Sequence, residues 1–324
     1  MKILITGGAG FIGSNFIRHM LVKYPNYEII NLDKLTYAGN LNNLKDIEKN
    51  KNYSFLKGDI CDKKIVEKLI KKVSIIINFA AESHVDRSII KSDAFIQTNV
   101  FGTYVLLQAA KEFKIKKFIH ISTDEVYGSI VSGSFNEDSS LKPSSPYSAS
   151  KASSDMLVTA FNVTYGLPTI ITRSTNNFGP FQYPEKLIPL FITNLLEGKK
   201  IPLYGDGLNV RDWLYVIDNC EAIDFLLHHG REGEIYNISA NNEKTNLEIT
   251  KKILNFLGKD ENFIEYVTDR PGHDRRYSLD CSKIKKLGWK LTFEFDDALK
   301  ATINWYKNNE WWWKPLKKRM KYGS

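Results

Sequence analysis

The chain has 324 residues, of which 43% are hydrophobic and 25% charged, a globular composition that excludes a disordered chain. The formal net charge of +8 is scattered over lysine-rich stretches, which favours a solvated surface over a nucleic-acid-binding face. Three widely spaced cysteines, Cys61, Cys220 and Cys281, exclude a disulfide framework and indicate a reducing compartment. The six histidines show no metal-ligand spacing, so we predict no metal site.

The start of the chain carries only a short apolar run, from Ile3 to Ile5, before Gly7 and Gly8 interrupt it. Such a run is too short for the core of a signal peptide. No stretch approaches the roughly 18 apolar residues of a membrane span. We therefore expect a soluble protein of the cytoplasm.

Strand and helix patterns alternate through the first half of the chain, which predicts a parallel sheet with crossover helices on both faces. The predicted strands cover residues 2–6, 28–32, 53–57, 74–78, 117–122 and 169–173. The predicted helices cover residues 11–23, 62–71, 93–113 and 147–165.

After residue 175 turn residues become frequent and the elements shorten, which predicts a smaller mixed α/β lobe at the C-terminal end. Helices are expected over 185–196, 219–228, 246–257 and 296–308, and an isolated strand over 234–238. We expect a cofactor domain over residues 1–175 and a substrate lobe over 176–324, with a segment from about 209 to 230 that could return to the first domain. The aromatic run Trp311 to Trp313 favours core packing or a lobe contact over a binding platform.

Three glycines, Gly7, Gly10 and Gly13, follow the first strand and open the first helix with the spacing G-x-x-G-x-x-G. This context lets backbone N–H groups and a helix N-terminus approach a pyrophosphate. Asp33 ends the second strand, where a carboxylate binds ribose hydroxyls and repels a 2′-phosphate, so NAD is favoured over NADP. A helix cap is the alternative role for Asp33.

Two adjacent carboxylates, Asp124 and Glu125, follow the predicted strand 117–122. Burying an unpaired charged pair costs several kcal/mol or more, so packing alone is a poor explanation for them. Tyr147 and Lys151 lie four residues apart, on one face of a helix. A lysine ammonium favours a phenolate beside it, so we expect Lys151 to lower the pKa of Tyr147.

With these motifs in place, the chain resembles the extended short-chain dehydrogenase/reductase family, and within it the nucleotide-sugar dehydratases. The resemblance rests on the glycine turn, on Asn78-Phe79-Ala80-Ala81, on Ser122-Thr-Asp-Glu-Val-Tyr-Gly128 and on Tyr147-x-x-x-Lys151. It extends over residues 172–180, 211–218 and 269–277, and so over essentially the whole chain. It implies a Rossmann-type domain that holds NAD, and a hydro-lyase activity.

The resemblance implies roles for five catalytic residues, Thr123, Asp124, Glu125, Tyr147 and Lys151. Tyr147 removes the proton from the sugar O4 while NAD takes the C4 hydride, and Thr123 orients O4. Glu125 then removes the C5 proton and Asp124 protonates the departing 6-hydroxyl. An acid and a base in one site require surroundings that push their pKa values apart.

The remaining binding residues also rest on the resemblance. Those implied for the cofactor are Gly7, Gly10, Phe11, Ile12, Gly13, Asp33, Lys34, Thr36, Asp59, Ile60, Ala80, Ala81, Ser83, Thr98, Tyr147, Lys151 and Asn177. Those implied for the nucleotide sugar are Ser83, His84, Thr123, Asn176, Lys186, Leu187, Pro202, Tyr204, Arg211, Asn246, Arg270 and His273. For each basic residue a surface ion pair is the alternative, and His84 could be an ordinary loop histidine.

The expected substrate is a glucose carried by a nucleoside diphosphate, dTDP-glucose, with thymine over uracil left open because one methyl group is worth only about 1 kcal/mol. An NAD-dependent epimerase or decarboxylase of the same family is the first alternative, and Asp124 argues against it. A non-catalytic NAD-binding regulator is the second. The family also implies a homodimer through helices 93–113 and 147–165, with an internal helix pair as the alternative.

Overall fold

A parallel sheet of seven strands organises the larger part of the computed structural model, which describes residues 1–269 and 273–322. The strands of the described chain are β1 (Lys2–Thr6), β2 (Glu28–Asp33), β3 (Tyr53–Lys57), β4 (Ile75–Asn78), β5 (Lys117–Thr123), β6 (Thr169–Ser174), β7 (Asn176–Phe178), β8 (Ile201–Tyr204), β9 (Val210–Tyr215), β10 (Ile235–Ile238), β11 (Glu243–Thr245) and β12 (Ile264–Val267). The order in the large sheet is β10-β6-β5-β4-β1-β2-β3, with every pairing parallel. The strand order reverses between β1 and β4, where ligands bind in such sheets.

Helices cover both faces of this sheet, because alternate strand residues point to opposite sides. The helices are α1 (Phe11–Lys23), α2 (Lys63–Ile70), α3 (Val85–Ile90), α4 (Asp93–Phe95), α5 (Thr103–Glu112), α6 (Pro146–Tyr165), α7 (Leu187–Leu196), α8 (Val216–His229), α9 (Asn246–Phe256), α10 (Ser282–Leu287), α11 (Phe295–Asn308) and α12 (Glu310–Tyr322). Ile3 and Ile5 of β1 pack in one apolar core with α1 and α8, whereas Leu4 packs in another with α2, α5 and α6. The predicted Rossmann-type architecture is confirmed.

The predicted helix 93–113 is helical over nearly its full length but is not a regular α-helix. A π-helical segment, Ile96–Gly102, lies between α4 and α5. Gly102 leaves room for its neighbours there, because a Cβ on it would lie 2.5 Å from the Ile60 side chain. The wider turn therefore brings this segment close to the strand-end loop that carries Ile60.

Residues beyond β6 build two small sheets, with the orders β11-β9-β7 and β12-β8, together with α7, α9 and α11. The expected isolation of strand 234–238 is wrong, because β10 pairs with β6 from Ile235↔Ile171 to Ile238↔Ser174. Helix α8 returns as well and packs against α1. Short-range patterns could not show these long-range pairings.

The C-terminal aromatic run packs into the protein, as its composition indicated. Trp312 and Trp313 are buried, whereas Trp311 is exposed. Trp313 Nε1 donates to the Tyr306 carbonyl at 2.8 Å, and Trp312 Nε1 donates to Asn43 Oδ1 at 2.7 Å. Helix α12 is thereby fixed to the loop that follows β2.

Across residues 1–269 and 273–322, we find no helix with both the length and the apolar character needed to cross a membrane.

Candidate functional site

A deep crevice runs along the carboxyl ends of β1, β2, β4 and β5. It is lined by all the predicted cofactor residues except Asn177. Asn177 contacts the crevice indirectly, since its carbonyl accepts from Nε2 of Gln182, which lines it. The predicted cofactor residues of this cavity come from six separate stretches of the sequence, 7–13, 33–36, 59–60, 80–83, 98 and 147–151.

The glycine turn forms the floor of the crevice. Gly7 has a φ of +70°, and its position leaves no space for a side chain, because a Cβ would lie 2.5 Å from the Ala80 nitrogen. A Cβ on Gly13 would lie 2.6 Å from the Gly7 carbonyl oxygen. Helix α1 begins directly after Gly10, which provides no side-chain cap, so its first N–H groups point to the crevice. This cradle fits a pyrophosphate.

Asp33 holds the glycine turn against β2. Its Oδ2 accepts from the Ala9 nitrogen at 2.9 Å, and its Oδ1 accepts from the Leu35 nitrogen at 2.7 Å. Burial raises the pKa of the carboxyl, and these backbone hydrogen bonds oppose that effect.

Asn43, which the sequence did not single out, braces the same turn from below. Its Nδ2 donates to the Ala9 carbonyl at 2.9 Å, while its Oδ1 accepts from Trp312. The side chain is buried. No local motif marks such a residue, since its two partners lie 34 and 269 residues away.

The two carboxylates predicted to be catalytic follow β5 in a single 3₁₀ turn, Asp124–Tyr127. Thr123 begins this turn, since its Oγ1 accepts from the Glu125 nitrogen at 3.3 Å. The same hydroxyl donates to Asp124 Oδ1 at 3.1 Å. Gly128 ends the turn with a φ of +81°, a left-handed conformation that favours glycine.

Asp124 is held as a neutral acid. Its side chain is buried, and burial followed by the nearby Glu125 raises its pKa to about 8. The Thr123 hydroxyl and the Arg211 guanidinium oppose this shift. At neutral pH the group therefore carries a proton that it can donate, as a general acid must.

Tyr147 and Lys151 lie one turn apart on α6, which begins at Pro146 after a capping box of Ser145 and Ser148. Lys151 Nζ donates to the Ile121 carbonyl at 2.7 Å, and burial lowers its pKa to about 8. Burial, Glu125 and Asp124 raise the pKa of Tyr147, while Thr123 opposes them. Any lowering of this pKa by Lys151 is therefore outweighed, and the net effect of the protein is to raise the pKa of the phenol.

Several predicted substrate residues surround the catalytic turn. Arg211 on β9 stacks on the Tyr277 ring at 4.4 Å and lies near enough to Asp124 to influence its pKa. Lys186 Nζ donates to the Ser83 carbonyl at 3.2 Å, and both residues line the crevice. Asn176 lies on β7 and is partly buried. This group can bind a sugar and its phosphates next to the cofactor crevice.

The other predicted substrate residues lie on the small lobe or at helix starts. Tyr204 ends β8, and its ring lies edge-on to His273, with ring centroids 6.3 Å apart. Pro202 is on β8, Leu187 is the first residue of α7 and Asn246 the first of α9. His84 caps α3, accepting from the Arg87 nitrogen at 3.4 Å. Arg270 lies outside the described residues.

The crevice has further lining residues that sequence reasoning missed. These include Tyr37, Glu82, Gln182, Tyr183 and Glu185. Glu82 directly follows Ala80 and Ala81, and Glu185 directly precedes Lys186, so adjacency to predicted residues was the available signal. Among residues 1–269 and 273–322 no group of three or more His, Cys, Asp or Glu side chains could hold a metal ion.

Comparison with known proteins agrees with this geometry. The family model for GDP-mannose 4,6 dehydratase matches residues 4–302. The dTDP-glucose 4,6-dehydratase of Streptomyces niveus is 49% identical over 322 residues, which are 98% of this chain and 96% of that protein.

Two solved structures illustrate the range of the fold. The dTDP-glucose 4,6-dehydratase of Streptomyces venezuelae, solved with NAD bound, superposes with a TM-score of 0.96 at 51% identity, covering 98% of this chain and 100% of that one. The UDP-glucose 4-epimerase of Thermotoga maritima, solved with UDP-glucose, gives a TM-score of 0.89 at 30% identity, covering 96% and 100%. The chain belongs to the GDP-mannose 4,6 dehydratase family of extended short-chain dehydrogenases/reductases.

Proposed function

We propose that the chain is a dTDP-glucose 4,6-dehydratase, an NAD-dependent hydro-lyase that converts dTDP-glucose to dTDP-4-keto-6-deoxyglucose and water. The observation that carries this proposal is the adjacent Asp124 and Glu125 in one turn, with Asp124 protonated at neutral pH. Elimination of water from a sugar needs an acid for the hydroxyl and a base for the carbon proton, and this turn offers both. The near 50% identity to curated dehydratases over almost the full length supports the same activity.

The glycine turn and Asp33 fit NAD. The Gly7 and Gly13 positions allow the backbone to approach a pyrophosphate, and the buried Asp33 carboxylate would disfavour a 2′-phosphate. Lys34, which pairs with Asp59 at 2.7 Å, closes the adenosine end of the crevice. When bound here, NAD would supply the acceptor for the C4 hydride and the donor for its return to C6, and its oxidised nicotinamide would add a positive charge to the site.

Tyr147, Thr123 and Lys151 serve the oxidation at C4. The phenolate of Tyr147 removes the O4 proton and becomes the phenol, and the Thr123 hydroxyl, which interacts with both Tyr147 and Asp124, orients O4 between them. Because the protein's own carboxylates and burial raise the pKa of Tyr147, the positive charge of Lys151 is needed to make a phenolate accessible. A ketone at C4 then makes the C5 proton acidic.

Glu125 and Asp124 carry out the elimination. Glu125 takes the C5 proton, and Asp124 gives its proton to the C6 hydroxyl, which leaves as water. Glu125 returns its proton to C5 after the hydride reaches C6. These separate roles for an acid and a base agree with the surroundings of Asp124. Burial and the negative Glu125 beside it raise the pKa of Asp124, so Asp124 keeps the proton and Glu125 is free to accept one.

The small lobe is proposed to hold the nucleoside diphosphate. Arg211 and Lys186 would bind phosphate oxygens, with Asn176 near the sugar, and the β8 segment from Pro202 to Tyr204 beside the base. His273 pairs with Asp269 at 2.6 Å, which places an oriented imidazole beside Tyr204.

A homodimer is proposed through α6 and the helical stretch 93–113, which includes α5. Large apolar side chains are exposed there: Ile96, Phe101 and Tyr104 on one side, and Met156, Val163 and Tyr165 on α6. The rings of Phe101, Tyr104, Phe161 and Tyr165 form a continuous series of contacts. Such a patch is typical of an interaction surface. Sedimentation should show a dimer, and Met156→Glu with Val163→Glu should convert it to a monomer; an unchanged dimer would reject this interface.

We further propose that the enzyme acts in the cytoplasm, because Cys61, Cys220 and Cys281 are all unpaired, as in reducing compartments.

The decisive experiment is product analysis. Incubation with dTDP-glucose should give a 4-keto-6-deoxy sugar, seen by its ketone absorbance in alkali, whereas UDP-glucose should react more slowly. Formation of dTDP-galactose would instead show a 4-epimerase. Loss of turnover in Tyr147→Phe separates catalysis from mere NAD binding, and equal turnover in that variant would refute the mechanism.

A further inference from the structure

A buried polar cluster lies directly behind the Tyr147–Lys151 pair and has no role in the mechanism above. Its members are His120 on β5, Asp155 on α6 and Arg173 on β6, each at most 3% exposed. Arg173 Nε donates to Asp155 Oδ2 at 2.9 Å, and His120 Nε2 lies 3.6 Å from Asp155 Oδ1. Buried charges of this kind cost several kcal/mol each unless they are paired, so the cluster needs an explanation.

Arg173 is fixed from its far side. Its Nη1 donates to the Tyr127 hydroxyl at 2.7 Å, and its guanidinium lies 4.8 Å from the Tyr127 ring centre. The Tyr127 hydroxyl in turn donates to Asn237 Oδ1 at 2.9 Å. Since Tyr127 is the last residue of the catalytic 3₁₀ turn, Arg173 joins that turn to Asp155.

His120 is a neutral spacer between this ion pair and Lys151. Asn78 uses its Oδ1 to accept from Thr6 at 2.6 Å, so its Nδ2 faces His120 Nδ1 at 3.3 Å, and the His120 proton resides on Nε2. Burial, Lys151 and Arg173 all lower the pKa of His120. Lys151 Nζ lies 3.4 Å from His120 Nε2, but two donors cannot bond, so the imidazole does not accept the lysine proton.

The net charge of this cluster together with Lys151 depends on the protonation state of Tyr147. Burial raises the pKa of Asp155, but the Arg173 and Lys151 cations oppose that effect, and the 2.9 Å pair with Arg173 keeps Asp155 as the anion of the cluster. With Lys151 and Arg173 as cations, the cluster is short of one negative charge, which a Tyr147 phenolate would supply. Lys151 is faced by Tyr147 and Asp155 from its own helix, by His120 from β5 and by Arg173 from β6, with Asp124 and Glu125 beyond Tyr147. Asp155 is the nearest anion that is not itself a reacting group.

We propose that Asp155, held by Arg173, is a positioning residue that keeps the buried Lys151 protonated, so that Lys151 can stabilise the Tyr147 phenolate. The inference rests on the proposed dehydratase function, since it assigns a role within that site. Burial works against the charge of Lys151, and Asp155 is the group that opposes burial. Because Asp155 acting directly raises the pKa of Tyr147, its favourable role is exerted through Lys151. Without Asp155 the lysine would lose its proton near neutral pH, and Tyr147 would face a neutral amine.

The test is the pH profile of kcat/KM for dTDP-glucose in Asp155→Asn. Lys151 must be protonated, so activity is lost as the pH rises through its pKa of about 8. Loss of a nearby opposite charge moves such a limb to lower pH by about one pH unit. The variant should then be about fivefold slower at pH 8 than the wild type, but only about twofold slower at pH 7. Asp155→Glu, which keeps the charge, should retain the wild-type limb.

A second variant covers the case in which Asp155→Asn leaves Arg173 buried without a partner and fails to fold. Asp155→Asn with Arg173→Gln removes both charges, which proteins tolerate better than removal of one. Asp155 affects the pKa of Lys151 more strongly than Arg173 does. The alkaline limb of the double variant should therefore still move to lower pH, but by less than in Asp155→Asn.

An alkaline limb that stays in place in these variants, with only the scale of activity reduced, would overturn the proposal and leave Asp155 a purely structural residue. Asp224→Asn is the matched control, because Asp224 is a buried carboxylate that pairs with Lys23 on the outer side of α1. Its substitution should lower stability and keep the pH profile. If the wild type makes no 4-keto-6-deoxy product at any pH, the proposed function fails rather than this inference.

Discussion

The neutral state of Asp124 leads to the sharpest prediction for the reaction. At the ordinary aspartate pKa of 3.8 only about one carboxyl in a thousand would carry a proton at pH 7, whereas a pKa of about 8 leaves about nine in ten protonated. The buried position therefore increases the available acid about 1,000-fold. Asp124→Asn keeps the shape of the side chain but cannot donate this proton, and a general acid contributes about 10²–10⁴-fold.

We therefore expect turnover of Asp124→Asn to fall by about 10²–10⁴-fold while the first oxidation survives. The assay mixes stoichiometric enzyme with dTDP-glucose and records NADH absorbance together with the alkaline ketone signal of the 6-deoxy product. In the variant, NADH should form and persist, with little product. The matched control is Asp138→Asn, since Asp138 is an exposed carboxyl a short distance along the chain.

Two results would refute this reasoning. Turnover within tenfold of the wild type would show that another group protonates the 6-hydroxyl. Failure of the variant to form NADH, with NAD still bound, would place Asp124 in the oxidation step and would leave Glu125 without a partner acid.

Three further predictions concern the fold around the site. Gly13→Ala places a Cβ within 2.6 Å of the Gly7 carbonyl oxygen. Overpacking of about 1–3 kcal/mol should weaken NAD retention about tenfold or more. Unchanged NAD content after gel filtration would contradict the role of this turn. Asp124 has a pKa of about 8 in the folded protein, above the ordinary aspartate value of 3.8. The unfolded chain therefore releases this proton at lower pH than the folded one, and the stability of the wild type falls as the pH rises from about 4 to about 8. The advantage of Asp124→Asn in urea denaturation should grow over that range, and a constant difference would count against a buried neutral carboxyl. Trp312→Phe leaves Asn43 Oδ1 buried without its indole donor, which should lower the free energy of unfolding by about 1–3 kcal/mol; no loss would show that this hydrogen bond is not needed.

Local signals in the sequence predicted the cofactor side well. The strand Lys2–Thr6 and the helix Phe11–Lys23 have the predicted bounds, because Gly7 to Gly13 and the apolar spacing act over a few residues. The predicted helix 62–71 is observed as α2, which Asp62 caps by accepting from the Lys64 and Ile65 nitrogens. Here the information that determines structure lies within one turn or strand.

Features set by distant contacts were not predictable in this way. The pairing of β10 with β6 joins Ile235 to Ile171, and nothing near either residue indicates the other. The ion pair of Asp155 and Arg173 is similar, because an acidic residue on a helix ordinarily faces water. The roles of the substrate-lobe residues came from family resemblance rather than spacing, since isolated polar side chains such as Asn246 carry no pattern of their own.

The bond between Trp312 and Asn43 has a consequence for the order of synthesis. Asn43 holds the Ala9 carbonyl in the glycine turn, so this early segment obtains its Trp312 partner only after the ribosome has added 269 further residues. A chain that stops before α12 could form β1 and α1 but would lack this brace. We expect the nascent enzyme to become able to retain its dinucleotide only after α12 has emerged, and truncations that remove α12 to lose the dinucleotide before they lose the sheet.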